Sequence, residues 1–273
     1  MSFIEQIKQR AKQEIKTIVL PEATDVRILE AAEMIKNEGY AKVILIGNEE
    51  EVRKLAKERN IDIGETKIID PAVSIETARY SKELYELRKS KGMTEEQAEK
   101  LVLEPVYFGM MMVKLNEADG LVSGAAHSTS DTLRPALQIL KTAPGTKLVS
   151  AFFVMVVPNC KYGENGTFIF ADSGLNEEPD SEKLSEIAIS SSKSFEQLVD
   201  TQPKVAMLSY STYGSAQSAS TEKVIEATKL VKEKEPNLLV DGELQLDAAI
   251  IPEVAEFKAK GSPLKGQANV LVF

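Results

Sequence analysis

The first part of the chain alternates short, almost continuously apolar runs with longer stretches in which apolar residues recur every three or four positions. The apolar runs at 16–20 and 41–46 predict buried strands, because strands covered on both faces read as unbroken hydrophobic segments. The amphipathic stretches at 26–37 and 49–58 predict helices. This alternation favours a parallel sheet covered by helices, an α/β fold.

Local signals place several ends and turns of these elements. Asp25 precedes the helix at 26–37 as a predicted cap, and Thr94 with Gln97 has the spacing of a capping box. The two acids of the 21–25 loop could line a cleft or cap the helix at 26–37, and we favour the cap for Asp25. The run Met110-Met111-Met112 is interpreted as core packing. Asn165-Gly166, between two apolar runs, predicts a hairpin-like turn.

The second half of the chain repeats the strand–helix pattern after a shift in composition near Gly145. We therefore predict two α/β domains, 1–145 and 146–273. The last four residues, 270–273, are all apolar and predict a strand. A strand at the very end suggests that the second domain is cut before its next loop.

Composition narrows the possible functions. The 273 residues carry a net charge of −9, which argues against broad nucleic-acid binding and requires a local cationic site for any polyanionic substrate. No apolar run approaches the roughly 20 residues of a membrane span. A single cysteine excludes an intramolecular disulfide framework, which favours a cytoplasmic location. With a single histidine, no Cys/His zinc site is expected, and no metal ligands are assigned.

The stretch 120–145 carries the strongest chemical signal. A strand-like entry leads into the small residues 123–126, six polar residues at 127–132, and then Arg134 and Pro135. We predict that a helix starts near Asp131 or Thr132, because proline fits best in a first helical turn. A loop of this kind before a helix can aim free backbone N–H groups at an anion, although it is more often only a cap and turn.

This stretch resembles the signature of the phosphate acetyl/butyryltransferase family, whose members include the phosphotransacetylases. Similar matches are PVYFGMMMVKLNEADG at 105–120, AMLSYSTYGSA at 206–216 and VDGELQLDAAIIPEVA at 240–255. The resemblance implies two α/β/α domains with mostly parallel sheets and a cleft, as in isocitrate/isopropylmalate dehydrogenases. It also implies transfer of an acetyl group between coenzyme A and inorganic phosphate, without a bound cofactor, in a homodimer.

The resemblance also implies roles for individual residues. Arg134 and Ser128 would act on the acyl phosphate, and Arg88 would bind a phosphate of coenzyme A. The remaining predicted substrate contacts are Ser123, Gly124, His127, Thr129, Thr132, Ser211 and Thr212. In the family, the base that deprotonates the thiol and a further arginine lie in a C-terminal continuation, with a Ser-Arg-Gly-Cys segment, that this sequence lacks. A catalytically incomplete fragment is therefore one alternative.

Two other functions stay open at this stage. A phosphate propionyl- or butyryltransferase would have the same signatures. A metal-dependent dehydrogenase of the same architecture would use the acids after residue 240, including Asp241 and Asp247, as ligands. Those acids are also suited to capping a helix and hydrogen bonding across a cleft, which we favour. The sequence has no glycine-rich dinucleotide fingerprint, which argues against the dehydrogenase.

Overall fold

The protein consists of two compact units, one extending to Lys141 and the other starting at Thr142, in a computed structural model that describes residues 2–273. Each unit contains its own sheet and its own buried apolar clusters. The predicted fold class, α/β with mostly parallel sheets, is confirmed.

The first unit is built on a four-stranded parallel sheet. Its strands are β1 (Lys16–Leu20), β2 (Ala41–Ile46), β3 (Lys67–Ile69) and β4 (Gly120–Leu121), in the order β3-β2-β1-β4. The apolar runs predicted as strands thus form β1 and β2. Both lie inside the sheet, and Val19 and Leu45 are fully buried. Burial on both faces explains why these two strands lack an alternating pattern.

Within residues 2–141, the first unit contains seven α-helices and a short 3-10 helix at Lys89–Lys91. The α-helices are α1 (Phe3–Gln13), α2 (Val26–Glu38), α3 (Glu49–Glu58), α4 (Thr77–Arg88), α5 (Glu95–Val102), α6 (Pro105–Lys114) and α7 (Thr129–Ile139). Asp25 caps α2 by accepting the N–H of Arg27 at 2.9 Å, as predicted. Thr94 and Gln97 form the predicted capping box at the start of α5.

Helix α6 packs unusually close to the sheet because of one glycine. A Cβ atom at Gly109 would lie 2.6 Å from Leu121 Cδ1 and 2.9 Å from Val19 Cγ1. Any side chain at this position would therefore push α6 away from β1 and β4. The three methionines at 110–112 are buried in the same apolar cluster, which confirms the core interpretation. This close packing fixes the position of Tyr107 on α6.

The second unit contains a five-stranded sheet in the order β5-β6-β9-β7-β8. Its strands are β5 (Phe152–Val156), β6 (Thr167–Ala171), β7 (Lys204–Leu208), β8 (Leu239–Leu244) and β9 (Val270–Val272). Only β5 is antiparallel to its neighbour. The predicted strand at the end of the sequence is β9, which lies buried between β6 and β7.

Four helices belong to the second unit: α8 (Ser181–Val199), α9 (Ala219–Lys234), α10 (Leu246–Ile250) and α11 (Pro252–Lys258). The predicted turn at Asn165-Gly166 is present, with φ angles of 50° and 85° that suit these two residue types. Among residues 2–273, no helix has the length and hydrophobicity that crossing a membrane would require.

Candidate functional site

Helix α7 starts at Thr129, two residues before the earlier of the two predicted starts. Ser128 is its N-cap: the Ser128 hydroxyl accepts the N–H of Asp131 at 3.2 Å and donates to the Asp131 carboxylate at 2.6 Å. Pro135 consequently lies inside the helix rather than in its first turn, so the prediction from proline was wrong. The cap fixes the start, and the helix tolerates the single hydrogen bond that proline removes.

Four backbone N–H groups of the loop before α7, those of residues 124–127, are bound to a carboxylate of the protein. Gly124 and Ala125 donate their N–H groups to Glu22 Oε2, each at 2.9 Å. Ala126 and His127 donate theirs to Glu22 Oε1, at 2.7 and 2.8 Å. The loop therefore binds an anion as its geometry suggested, but the anion is a carboxylate of the protein itself.

Glu22 is a residue of the candidate site to which the sequence assigned no role of its own. Its side chain is only 1% exposed and also lies 2.9 Å from His127 Nδ1. Burial alone would raise the pKa of this carboxyl, but the N–H donors of the loop outweigh burial and lower the pKa to about 2. Glu22 is therefore a permanent anion at neutral pH, and it holds the 124–127 loop in one conformation.

The side chains at the start of α7 are more accessible than its backbone. Ser128, Thr129 and Arg134 are exposed. Ser123 and Thr132 are half-buried, and the Thr132 hydroxyl lies 3.4 Å from the Ser123 hydroxyl. Thr129 and Arg134 offer hydroxyl and guanidinium donors to a ligand, whereas the Ser128 hydroxyl already donates to Asp131. The N-terminal end of a helix also favours negative charge.

Arg134 and Ser128 do not share one side of the helix. They are six positions apart, which places their Cα atoms about 120° apart around the axis and about 9 Å apart along it. The positive charge of Arg134 nevertheless contributes to the lowered pKa of Asp131, the residue that binds the Ser128 hydroxyl. Arg134 is therefore an electrostatic neighbour of the cap, and its long side chain rather than its backbone position determines what it can reach.

Arg134 and Arg88 both lie near the hydroxyl of Tyr107. Burial raises the pKa of Tyr107, and the charges of Arg134 and Arg88 oppose that rise. The Tyr107 hydroxyl donates to Gln138 on α7 at 2.9 Å. The first unit thus brings together two arginines that the sequence separates by 46 positions, from the end of α4 and the middle of α7.

Neither guanidinium is neutralised by a carboxylate. Within residues 2–273, no hydrogen bond or ion pair is found for Arg134, and the buried Nε of Arg88 has no hydrogen-bond partner. Arg27 and Arg53, in contrast, form ion pairs with Asp25 and Glu49. Arg88 and Arg134 both act electrostatically on Tyr107 and lack such partners, which makes them candidate anion-binding groups.

The second predicted hydroxyl loop, after β7, has a different structure. Ser211 and Thr212 are buried. The Ser211 hydroxyl donates to Glu243 Oε1 at 2.9 Å, and the Thr212 hydroxyl accepts the N–H of Gln245 at 2.8 Å. Both hydroxyls thus shape the loop from inside the second unit. Their contact with a ligand stays a prediction.

Each of the three acids in the segment 241–247 has its own partner within the protein, and that of Glu243 is Ser211. Asp241 accepts from the hydroxyl of Tyr213 and, at 3.2 Å, from Lys232. Asp247 accepts from Lys258 at 2.7 Å. Across residues 2–273, no group of three or more His, Cys, Asp or Glu side chains has an arrangement that could hold a metal ion. The pairing of each acid with its own donor agrees with the hydrogen-bonding interpretation.

The fold and the site together define an α/β protein of two parallel-sheet units, with a candidate anion site in the first unit. A comparison with family models finds one match, described as "Phosphate acetyl/butaryl transferase", over residues 2–273, and the chain belongs to this family of acyl-transferring enzymes. The resemblance seen in the sequence is thereby confirmed.

Individual relatives agree with the family assignment. The chain is 64% identical to a protein named phosphate acetyltransferase from Acetivibrio thermocellus, over all of this chain and 82% of the relative. It is also similar to two solved structures. One is the EutD phosphotransacetylase from Staphylococcus aureus, with 45% identity and a TM-score of 0.90 over 99% of this chain and 81% of the other. The other is a phosphotransacetylase from Streptococcus pyogenes, with 40% identity and a TM-score of 0.91 over 99% and 80%.

Proposed function

We propose that this protein is a phosphate acetyltransferase, which catalyses the reversible reaction of acetyl-CoA and inorganic phosphate to give coenzyme A and acetyl phosphate. The observation that carries the proposal within the structure is the pair of arginines, Arg88 and Arg134, without carboxylate partners. Both substrates are multiply charged anions, so a protein of net charge −9 needs such a local site. Two relatives that match this chain over its full length are named phosphate acetyltransferase.

The reaction needs no nucleophile from the protein. In a ternary complex, the coenzyme A thiol attacks the carbonyl carbon of acetyl phosphate directly, and phosphate leaves. The protein contributes by holding two anions in contact and by stabilising the oxyanion that develops. Coenzyme A is a substrate in this scheme, and no bound cofactor takes part.

We assign roles in the first unit from the accessible donors. Arg134 and the hydroxyls of Ser128 and Thr129 bind the acyl phosphate, and the Ser128 hydroxyl exchanges its hydrogen bond to Asp131 for one to the ligand. Arg88 binds a phosphate group of coenzyme A. Ser123 and Thr132, which are half-buried, complete the pocket wall through their mutual contact. Gly124 and His127 contribute their backbone N–H groups to Glu22 rather than to substrate. The hydroxyls of Ser211 and Thr212 would have to exchange internal hydrogen bonds for external ones, so we assign the acyl phosphate to the donors of the first unit alone.

Arg134→Ala tests this proposal. We expect a loss of at least tenfold in kcat/KM for acetyl phosphate formation, about 1.4 kcal/mol, because a charge-assisted contact to the transferred group is removed. Arg134→Lys should recover only part of the loss, since lysine lacks the planar fork of donors.

Arg59→Ala is the matched control, because Arg59 is an exposed arginine at the end of α3, away from α7. It should keep its kinetics. Wild-type kinetics in Arg134→Ala would refute the role of Arg134. Calorimetric titration of the same proteins with phosphate and coenzyme A measures binding separately from turnover. Binding of both substrates without formation of acetyl phosphate would identify a chain that binds but does not catalyse.

The proposal also specifies which acyl group the enzyme transfers. We favour acetyl over propionyl and butyryl, on the match of the 206–216 and 120–145 segments. The ratio of kcat/KM values for acetyl-, propionyl- and butyryl-CoA tests it, because one methylene in an apolar pocket typically changes kcat/KM by about 10- to 200-fold. A butyryl preference would place the protein with the butyryltransferases of the same family.

We further propose a homodimer formed along β5, the strand at one edge of the second sheet. Phe153 is 61% and Met155 is 37% exposed on this strand, and an apolar edge strand can pair with a second copy around a two-fold axis. Phe153→Asp should give monomers in light scattering, whereas Val73→Asp, at an 80% exposed valine of the first unit, should not. An unchanged dimer in Phe153→Asp would rule out this edge.

A further inference from the structure

The single histidine of the chain is held in one tautomer by Glu22. His127 Nδ1 lies 2.9 Å from Glu22 Oε1, and an ionised carboxylate can only accept a hydrogen bond. The proton of the neutral imidazole must therefore be on Nδ1. It follows that Nε2 carries a lone pair and is available as a proton acceptor, as in other carboxylate–histidine pairs.

The position of His127 makes this lone pair chemically useful. The side chain is 30% exposed, and in the described part of the chain no hydrogen bond to Nε2 is found. His127 directly precedes Ser128, the cap of α7. The charged groups around it are Glu22, Asp131 and, through the Ala125 carbonyl of the same loop, Arg27. The imidazole thus lies beside the exposed donors to which we assign the phosphate.

We propose that His127 is a catalytic residue that carries a proton to and from the phosphate substrate at Nε2. The inference rests on the proposed function, since it needs phosphate at the start of α7. Glu22 is then a positioning residue, which fixes the tautomer and the ring orientation without contacting the substrate.

The reaction transfers a proton to or from the phosphate group, and His127 Nε2 would accept and return this proton. When HPO₄²⁻ attacks acetyl-CoA, an O–C bond forms, the C–S bond breaks, and the thiolate leaves. The P–OH proton passes to Nε2, so that acetyl phosphate forms as its dianion. In the reverse direction the C–O bond breaks, and the imidazolium returns this proton to the departing phosphate oxygen, which avoids release of a trianion. Coenzyme A gains or loses its thiol proton at a separate base.

A purely structural role is the competing interpretation. Glu22 already accepts four backbone N–H groups, and the imidazole could simply be a fifth donor that stabilises the loop. The two interpretations differ at Nε2, because the structural role uses only Nδ1. A decisive experiment must therefore remove or observe Nε2 while leaving the Nδ1 donor in place.

His127→Asn provides that separation. The asparagine amide can reproduce the Nδ1–H donor to Glu22, but it ends before the position of Nε2. We expect kcat to fall at least 100-fold, the scale of general acid–base catalysis, with KM for phosphate within threefold of wild type and an unchanged melting temperature. The pH dependence of kcat should also lose one of its limbs. Wild-type kcat in His127→Asn would overturn the proposal.

NMR supplies a measurement that does not depend on turnover. Since the chain has one histidine, its imidazole nitrogens give a single, assignable pair of ¹⁵N signals. We expect a protonated Nδ1, an unprotonated Nε2, and a shift of the Nε2 signal on addition of inorganic phosphate. Glu22→Gln should give a mixture of tautomers.

The NMR outcomes separate this inference from the proposed function. A protonated Nε2 in the neutral ring, or an Nε2 signal that phosphate does not move while calorimetry shows that phosphate binds, would overturn the role of His127 and leave the acetyltransferase proposal intact. Absence of any phosphate binding would instead count against the site itself, and the proposal for His127 would fail with it.

Discussion

Two loops of this protein share a composition and a buried glutamate but differ in what they expose. In the first unit, Glu22, 3% exposed, accepts the N–H groups of the loop that precedes α7. In the second unit, Glu243, 2% exposed, accepts the hydroxyl of Ser211 and, at 2.7 Å, the N–H of Gly214. The first carboxylate uses mainly backbone donors, which leaves the Ser128 and Thr129 side chains exposed. The carboxylate of Glu243 instead accepts a hydrogen bond from a side chain of its loop, the Ser211 hydroxyl.

This difference shows that a hydroxyl-rich loop after a strand is not yet a ligand site. Whether the hydroxyls can bind a ligand depends on which atoms donate hydrogen bonds to the nearest buried carboxylate. Where backbone N–H groups suffice, serine and threonine side chains remain available to a ligand. Where a hydroxyl is needed, the same residue types become part of the interior. The three predictions below test this contrast.

The largest effect is expected for removal of the carboxylates themselves. Glu22→Ala leaves four loop N–H groups and the imidazole without an acceptor, and we expect a loss of about 3–5 kcal/mol in the free energy of unfolding of the first unit. Glu243→Ala removes fewer charge-assisted hydrogen bonds and should destabilise the second unit by about 2 kcal/mol.

Hydrogen exchange of peptides from each unit measures both effects, because it reports on the two units separately. The amides of residues 124–127 should lose their protection in Glu22→Ala and keep it in Glu243→Ala. Equal protection of these amides in wild type and Glu22→Ala would show that the carboxylate does not hold the loop.

An effect of similar but smaller size is expected on acidification. The pKa of Glu22 falls from an ordinary value of 4.5 to about 2 in the folded protein. A lowered folded-state pKa contributes stability above the unfolded value, and this contribution is lost as the pH falls from about 4.5 to about 2. It amounts to about 3 kcal/mol.

Chemical denaturation at a series of pH values checks this, with Glu22→Gln as the reference, because other carboxyl groups titrate in both proteins. The stability advantage of wild type over Glu22→Gln should be complete at pH 6 and shrink towards pH 3. A stability difference between wild type and Glu22→Gln that does not change with pH would mean that packing around residue 22, rather than the charge of its carboxylate, stabilises the loop.

The smallest effects distinguish the serines of the two loops. Ser128→Ala should cost about 1 kcal/mol through loss of the cap and should also lower kcat/KM. Ser211→Ala should cost about 1–2 kcal/mol, because Glu243 loses a buried donor, while kcat/KM stays within threefold. A tenfold loss of kcat/KM in Ser211→Ala without loss of stability would instead show that this hydroxyl contacts the substrate.

The sequence predicted those strands and helix caps that are determined by residues close together in the chain. The strands β1 and β2, the Asp25 cap and the Thr94–Gln97 box all follow from neighbouring residues, and all are confirmed. The start of α7 was misplaced because two local signals conflict there, and the Ser128 cap outweighs Pro135.

The site depends on contacts that no local pattern encodes. Glu22 binds the N–H of Gly124 across 102 positions of sequence, and nothing around either residue identifies the other as its partner. The one local signal was that Glu22 lies two residues after the end of β1, where an acid is as suited to capping a helix. Arg88 was singled out only by the resemblance to a family, since charged residues on helices are usually solvated, whereas Arg134 also belonged to the local pattern at 120–145.

The carboxylate of Glu22 can also be regarded as a ligand that the chain supplies to itself. Because it is tethered, its effective concentration at the loop far exceeds that of any free phosphate or acetate in solution. A small anion therefore cannot compete for those four N–H groups while Glu22 is intact. Truncation to glycine would vacate the space, and added formate or acetate could then occupy it and restore the shape of the loop, a form of chemical rescue.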